Sequence, residues 1–311
     1  MAPSALVDSY QFANHFGLGQ TLELVSDAVD DVNCIRYDDA SRFDAAKDKT
    51  QFRQYEDACD RVKTFYQEQH ERQTVAYNLA ARNRFHSAAR PRPEMTIWQA
   101  IEKLNTLVDE SDPDTSLSQI EHLLQSAEAI RRDGKPRWMQ LTGLIHDLGK
   151  LMLFFPELET QGQWDVVGDT FPVGCAFDPC IILHGTFARN PDARDPVYSS
   201  KFGIYTPGCG LDNVMLSWGH DEYLYHVVRD QSTLPDEALA MIRYHSFYAW
   251  HREGAYHDLM SAKDYDMLKA VQAFNPYDLY SKSDDVPSVE ELKPYYTELI
   301  NEFFPQQVVK W

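Results

Sequence analysis

The chain has 311 residues and carries 48 acidic against 29 basic side chains, which gives a formal net charge of −19. This balance argues against nucleic acid or an anionic membrane as the main partner, because both would repel an acidic surface. The N-terminus lacks a basic stretch followed by an apolar core, so we expect no secretory signal, and no apolar run is long enough for a membrane span. The five scattered cysteines predict free thiols in a reducing cytoplasm.

The apolar periodicity predicts a mainly α protein, a single helical bundle with long irregular loops and few short strands. Residues 1–30 are expected to form a loosely attached tail, and residues 31–311 a single domain. A candidate strand at 181–183 lies within the segment 156–216, which is rich in Gly, Pro and Asp and is otherwise expected to be irregular. The predicted helices span, in chain order, about 51–70, 97–108, 118–132, 137–155, 219–229, 235–248, 262–274 and 288–304.

Residues 138–152 are the most informative segment, because they place ionisable groups on a helix that is apolar almost all round. At 100° per residue, His146, Asp147 and Lys150 fall together on one side of this helix. Burying charged groups is costly unless they are paired or bind a metal. A solvated polar stripe and a buried ion pair are the alternatives, and the adjacent His-Asp pair favours a metal site.

Four further residues are weaker metal-ligand candidates when each is considered alone. His122 lies on an amphipathic helix and His220 begins another helix, positions that surface or core histidines often occupy. His245 lies on an apolar helix face, where an imidazole needs a partner. Asp278 is predicted in an aromatic-rich turn after the preceding helix, where a capping aspartate is the alternative.

Taken as a set, these residues form an ordered His…His-Asp…Asp pattern that resembles the HD-domain superfamily of helical metal-binding proteins. Two additional histidines between the His-Asp pair and the last aspartate suggest two metal ions, which one carboxylate can bridge. A mixed nitrogen and oxygen ligand set suits iron, manganese or zinc. The six candidate ligands are His122, His146, Asp147, His220, His245 and Asp278.

Longer motifs narrow the choice of family. They are DESDPD (109–114), LIHDLGK (144–150), VGDTFPVGC (167–175), SWGHDEYLY (217–225) and HSFY (245–248). In this order they closely resemble the signature of the inositol oxygenase family, and the likeness extends over about residues 31–311.

The resemblance implies an enzyme that cleaves the C1–C6 bond of myo-inositol with O₂ as co-substrate, giving D-glucuronate. It implies a mixed-valent Fe(II)/Fe(III) pair held by the six candidate ligands, with Asp147 as the bridge. It places Lys150 against the bound substrate as a catalytic residue, one helical turn from His146. The substrate-binding residues that it implies are Arg53, Asp109, Glu110, Ser111, Lys150, Gly168, Asp169, His245 and Ser246. A solvated helix arginine is the alternative for Arg53.

Two other functions compete with this interpretation. An HD-type metal-dependent phosphohydrolase would use the same His-Asp core to activate water, although Lys150 alone is a thin supply of positive charge for a phosphate. A scaffold protein without activity is the second, and the complete ligand set argues against it. We expect a cytoplasmic monomer that binds neither nucleic acid nor a membrane. The segment 156–216 and the N-terminal region are candidate covers for the active site.

Overall fold

The computed structural model of the chain describes residues 60–111, 118–279 and 288–311. The predicted mainly helical class is confirmed, with one small two-stranded sheet among the helices. None of the helices within these ranges is both long enough and apolar enough to span a bilayer. The elements in chain order are α1 (Asp60–Arg72), α2 (Val75–His86), β1 (Glu94–Thr96), α3 (Ile97–Leu104), α4 (Gln119–Arg132), α5 (Arg137–Ile145), α6 (His220–Arg229), α7 (Asp236–Tyr244), α8 (Tyr248–His251), α9 (Ala262–Leu279), α10 (Val289–Phe303) and β2 (Val308–Lys310).

The C-terminal end of the chain meets the segment after α2 in the antiparallel sheet, where Met95 of β1 pairs with Val309 of β2. The adjacent Trp311 is buried, and its indole donates a hydrogen bond to the carbonyl of Met95.

Helix α2 is not predicted from the sequence. Its apolar residues show almost no helical periodicity, and the helix is stabilised at its start by Thr74, whose hydroxyl accepts from the amide of Tyr77.

The single helix predicted over 137–155 is wrong, because the chain changes its geometry at the His-Asp pair. Helix α5 ends at Ile145 with His146 as its C-terminal cap, and a 3-10 helix follows over Leu148–Phe154. Asp147 lies between them with φ −93° and ψ −1°, in the bridge region of backbone space. Because of this break, the side chains of His146 and Asp147 do not both follow the spacing of α5.

Gly149 lies in this 3-10 helix and makes a close contact with the start of α6. A Cβ atom at this position would lie 2.0 Å from the carbonyl oxygen of His220, so only glycine permits the contact. The backbone after the His-Asp pair therefore touches the backbone at the start of α6. The contact joins two parts of the chain that both carry candidate ligands.

Two further elements differ from the predicted boundaries. Helix α7 ends at Tyr244, earlier than expected, and His245 caps it. Helix α9 continues to Leu279 through Pro276, so Asp278 lies on the last turn of a helix. The prediction of a turn at Asp278 is wrong because the helix tolerates the proline.

The long segment after the 3-10 helix is irregular as predicted, with short 3-10 turns connecting loops. The strand predicted at 181–183 is wrong, because these residues form bends and turns. The amide of Cys180 donates to the carboxylate of Asp178, which starts a turn, and Leu183 adopts a left-handed backbone with φ 49°. A 3-10 helix, His184–Arg189, follows directly.

The core has three apolar clusters among the described residues. The largest contains residues from every helix between α1 and α7 and from α10. A second lies between the irregular segment and the helices α7 to α9. The third is small and contains residues of α4, α5, α7 and α9, so it packs these four helices together. Its members are Ala129, Ile130, Met139, Met241, Phe274 and Tyr277.

Candidate metal centre

The structure brings the six candidate ligands together in one buried cluster. Their ligand atoms form three overlapping groups, within each of which all atoms lie within 4.8 Å of one another. Every contributing element ends or changes direction at the cluster, which lets the side chains converge. The cluster consists of His122 from α4, His146 from the cap of α5, Asp147 from the break, His220 from the first position of α6, His245 from the cap of α7 and Asp278 from the last turn of α9.

Asp147 lies at the middle of this cluster, and each of its carboxylate oxygens faces a different pair of histidines. Its Oδ2 lies 3.6 Å from Nε2 of His122 and 3.6 Å from Nε2 of His146, which we call the first pair. Its Oδ1 lies 3.5 Å from Nε2 of His220 and 3.6 Å from Nε2 of His245, which we call the second pair. A carboxylate in this position is arranged to bridge two metal ions.

The spacing within each pair also fits metal binding. The Nε2 atoms lie 3.3 Å apart in the first pair and 3.2 Å apart in the second. Oδ1 of Asp278 lies 3.2 Å from both Nε2 atoms of the first pair. Ligands about 2.1 Å from an ion are separated by roughly 3.0–3.5 Å at octahedral or tetrahedral angles. The donor set and its spacing therefore suit one ion between each pair and Asp147.

Three of the four imidazoles are oriented by the backbone. Each of them places Nδ1 against a carbonyl oxygen, and because a carbonyl only accepts, Nδ1 carries the proton and Nε2 keeps its lone pair for a metal. The fourth, His122, has no partner for Nδ1 among the described residues and is also the most exposed of the four. The three hydrogen bonds are His146 to Gly143 (2.9 Å), His220 to Val166 (2.8 Å) and His245 to Ile242 (3.0 Å).

The cluster is buried and carries several carboxylates that remain charged. Burial alone would raise the pKa of Asp147, but Lys150 and His146 hold that pKa well below its ordinary value. Burial would also raise the pKa of Asp278, and His146 and His122 again lower it well below the ordinary value. Ionised carboxylates next to lone pairs of imidazoles attract a cation strongly.

His245 shows the same attraction for positive charge. Burial would lower its pKa, but Asp221 and Asp147 outweigh burial and raise the pKa to about 9. A proton is thus stabilised between the imidazole and the carboxylates, at the position where a divalent cation would bind. Metal binding to such a site displaces a proton.

Comparison with known proteins identifies the family. A family model for myo-inositol oxygenase matches residues 59–311. The chain is 52% identical over 267 residues to inositol oxygenase 1 of Arabidopsis thaliana, covering 84% of this chain and 84% of that protein. It is 46% identical over 280 residues to inositol oxygenase of Dictyostelium discoideum (88% and 95% covered) and 47% over 265 residues to that of Mus musculus (84% and 91%). The chain belongs to the myo-inositol oxygenase family.

Lys150, a predicted catalytic residue in this myo-inositol oxygenase family member, forms two ion pairs at the edge of the cluster. Its ammonium lies 2.9 Å from Oδ2 of Asp147 and 2.9 Å from Oδ2 of Asp109. Burial would lower the pKa of Lys150, but these two carboxylates raise it well above its ordinary value, so the group stays positively charged. Ser111 in turn donates from its amide and its hydroxyl to Oδ1 of Asp109.

Gly168 and Asp169 are two further predicted substrate contacts. Gly168 has φ +87°, and a Cβ there would lie 2.6 Å from the ring of Phe65, so the position requires glycine. Asp169 is buried and accepts a hydrogen bond from the hydroxyl of Tyr66 (3.1 Å). A cavity of about 140 Å³ opens beside Asp169, towards Tyr248.

One predicted substrate contact, the side chain of Glu110, is not brought to the cluster. The carboxylate of Glu110 belongs to an exposed residue, and its backbone carries the local contacts: the amide donates to Gln163 and the carbonyl accepts from Arg61. Arg53 lies outside the described residues. Ser246, by contrast, lies at the cluster, with its hydroxyl 3.3 Å from Nε2 of His220.

Asp221, which is not among the residues predicted from the sequence, is fully buried beside the second pair. Its Oδ1 lies 2.8 Å from Nε2 of His220 and 3.3 Å from Nε2 of His245. An acidic residue in the first turn of a helix is commonly a solvated group that interacts with the helix dipole, which explains the omission. The signal that was present is its position directly after His220, within a run of residues that are all buried.

Proposed function

We propose that the chain is a di-iron oxygenase that cleaves the C1–C6 bond of myo-inositol with O₂ and forms D-glucuronate. The observation that carries this proposal is the position of Asp147, whose two oxygens each face a histidine pair in a chain of the myo-inositol oxygenase family. The relatives named above are inositol oxygenases, and their substrate is proposed for this chain as well.

Four residues would hold the first proposed ion: His122, His146, Asp278 and Asp147. The second pair and Asp147 would hold the second ion, and this smaller set of protein ligands would leave more positions for the substrate. A mixed-valent iron pair would supply Lewis acidity towards neighbouring hydroxyls and would activate O₂, while the electrons that reduce O₂ come from the substrate.

The residues at the edge of the centre suit a neutral polyol. Asp109 and Asp169 are acceptors for hydroxyl protons, Ser246 is a donor and acceptor, and the Lys150 ammonium is a strong donor. Lys150 is positioned to stabilise a substrate hydroxyl as it loses its proton, because its charge is fixed and buried in advance. An acidic protein surface does not repel an uncharged substrate.

The overall reaction balances with a single O₂. Myo-inositol loses four electrons as the C1–C6 bond breaks, one oxygen atom enters the new carboxylate, and the other leaves as water. The buried cluster excludes bulk water and stray reductants during this step. The segment 156–216, whose residues Trp164, Phe171 and Phe187 are buried, is proposed as part of the cover.

Two further features belong to the proposal. Residues 31–311 are proposed to form one catalytic domain, which the family match over 59–311 supports, with residues 1–30 as a tail. A cytoplasmic monomer is proposed as the working form. The thiols of Cys175, Cys180 and Cys209 are unpaired, which suits a reducing compartment.

The test is O₂ uptake by the protein loaded with Fe(II) and partly oxidised, with myo-inositol added and the product identified by mass spectrometry. We expect D-glucuronate in about a one-to-one ratio with the O₂ consumed, as the balance requires. A protein that holds two irons per chain and consumes no O₂ would contradict the proposal. Release of phosphate from phosphorylated substrates by the same preparation would then favour the phosphohydrolase.

A further inference from the structure

Asp221 has no exposed surface, and it lies beside both histidines of the second pair. A buried carboxylate is stable only when hydrogen bonds or positive charge compensate it. Its Oδ1 lies 2.8 Å from Nε2 of His220 and 3.3 Å from Nε2 of His245, so the second pair supplies part of this compensation.

One function of this carboxylate is to organise the substrate edge. Oδ2 of Asp221 accepts from the amide of Ser246 (3.1 Å) and from the hydroxyl of Thr170 (3.2 Å), and Oδ1 accepts from the hydroxyl of Ser246 (3.2 Å). The amide of Thr170 donates to the carbonyl of Ser246 (2.9 Å), which closes the network. Asp221 thus ties the loop after Asp169 to the residue that follows His245.

Its second function follows from a near-symmetry of the centre. Asp278 places one oxygen 3.2 Å from both Nε2 atoms of the first pair. Asp221 places one oxygen 2.8 Å and 3.3 Å from the Nε2 atoms of the second pair. Each histidine pair therefore has a carboxylate of its own in addition to the shared Asp147.

We propose that Asp221 is a positioning residue for the second ion and for the polyol that binds there. Its negative charge retains the ion at the second pair, and its hydrogen bonds fix Ser246 and Thr170 at the substrate edge. The inference rests on the proposed two-iron centre and extends it to a residue outside the six-ligand set.

The test compares Asp221→Asn, which removes the charge but keeps the shape, with the wild-type chain and with Asp264→Asn. Asp264 is a matched control because it is also a buried aspartate, and it accepts hydrogen bonds from Ser261 and Leu211 outside the centre. Anaerobic Fe(II) titration of the full chain, read by metal analysis after gel filtration, measures the two affinities. Circular dichroism establishes that each variant is folded.

For Asp221→Asn we expect the second Fe(II) to bind about 10–100-fold more weakly, as for other residues that support metal ligands, with the first ion unaffected. With both sites saturated, KM for myo-inositol should rise more than kcat falls. Asp264→Asn should bind both ions as the wild type does. Wild-type affinity for both ions together with wild-type KM in Asp221→Asn would overturn the proposal.

A second variant keeps the inference testable if Asp221→Asn does not fold. Thr170→Val removes one donor to the carboxylate while leaving its charge, and we expect unchanged Fe(II) binding with KM raised about 3–10-fold, the loss of roughly one hydrogen bond. An unchanged KM would overturn the substrate part of the proposal. If the wild type binds two Fe(II) ions but does not oxidise inositol, the oxygenase proposal fails, while the Fe(II) titrations still decide the role of Asp221. A wild type that binds a single iron overturns both.

Discussion

The two halves of the candidate metal centre use the same residue types but restrain them differently. In the second pair, His220 and His245 both donate from Nδ1 to backbone carbonyls and are almost completely buried. In the first pair only His146 is held in this way. The side chain of His122 is 14% exposed, and its Nδ1 has no partner among the described residues.

The two pairs therefore differ in how rigidly their imidazoles are held before a metal binds. A ligand fixed by a backbone hydrogen bond loses little freedom when it binds a metal, so the second pair is the more preorganised half. The second half is also where Ser246 and Asp221 meet the ligands, and where we propose that the substrate binds. The first half has four proposed protein ligands, one of which is Asp278, so it depends more on the number of ligands than on their rigidity.

The largest effect is expected from removing the residue that the two halves share. Asp147→Ala takes an oxygen from each proposed ion and leaves the four imidazoles without the central charge. We expect both Fe(II) affinities to fall by more than the roughly 100-fold seen for supporting residues. Metal analysis after gel filtration measures the loss, with Asp264→Asn as the control. Two tightly bound irons in Asp147→Ala would contradict the bridging role.

Single-pair variants test whether the halves are separable. His146→Ala should release the first ion and keep the second, whereas His245→Ala should release the second and keep the first. Each is expected to bind about one Fe(II) per chain, because each keeps one complete pair. His257→Ala, which removes a histidine that binds the carbonyl of Trp250, is the control. Loss of both ions in either variant would mean that the halves bind metal only together.

A variant of Lys150 separates metal binding from turnover. Lys150→Met keeps the length of the side chain and removes its charge, so we expect two bound irons and kcat reduced about 10²–10³-fold. O₂ uptake under saturating myo-inositol measures the effect, and Lys201→Met, at an exposed lysine paired with Asp258, is the control. Near-normal turnover would remove Lys150 from the mechanism.

The smallest effect on iron is expected from the ion network that joins α6 to α7. Glu222 is buried and accepts two hydrogen bonds from Arg243 (2.7 and 3.1 Å) and one from Arg82 (2.6 Å). Glu222→Gln leaves Arg243 without its main counter-charge, so we expect the free energy of unfolding to fall by about 3 kcal/mol. Denaturant unfolding measures it. Iron stoichiometry should stay at two, and its loss would show that the network supports the second pair directly.

The ion pair between Glu222 and Arg243 also makes the stability of the protein depend on pH in a defined direction. Burial would raise the pKa of Glu222, but Arg243 and Arg82 hold it well below 4.5 in the folded protein. Its stabilisation is therefore present above the unfolded pKa and is lost as pH falls through the lower folded value. The difference in stability between the wild type and Glu222→Gln should be constant above about pH 5 and shrink in more acidic buffers. A difference that grows with acidity would contradict this cause.

The clustering of His146 with Asp147 as candidate ligands could be predicted because their chemistry is local. His146 and Asp147 are adjacent, they lie in an apolar segment, and burial of such groups requires compensation. Their geometry could not be predicted, because the helix breaks where Gly149 meets the carbonyl of His220, a contact between distant parts of the chain. Periodicity alone continues the helix through this point.

The errors elsewhere have similar causes. The helix predicted over 262–274 ends before Asp278, yet α9 continues past Pro276, with Phe274 and Tyr277 packed in the third apolar cluster. Helix α2 has no clear apolar stripe, because Asn78 is buried and hydrogen-bonded to the carbonyl of Thr74. Asp221 was missed because the sequence does not show that the charged residues at the start of α6 are buried.

The Gly149–His220 contact also has a consequence for how the molecule is made. It closes a loop of roughly 70 residues, and the entropy of such a closure must be overcome before the cluster exists. During synthesis the first three candidate ligands emerge long before the others, so an early metal ion would meet only His122, His146 and Asp147. A chain of this topology is expected to assemble its second half late, and to capture its full complement of metal after the backbone has docked.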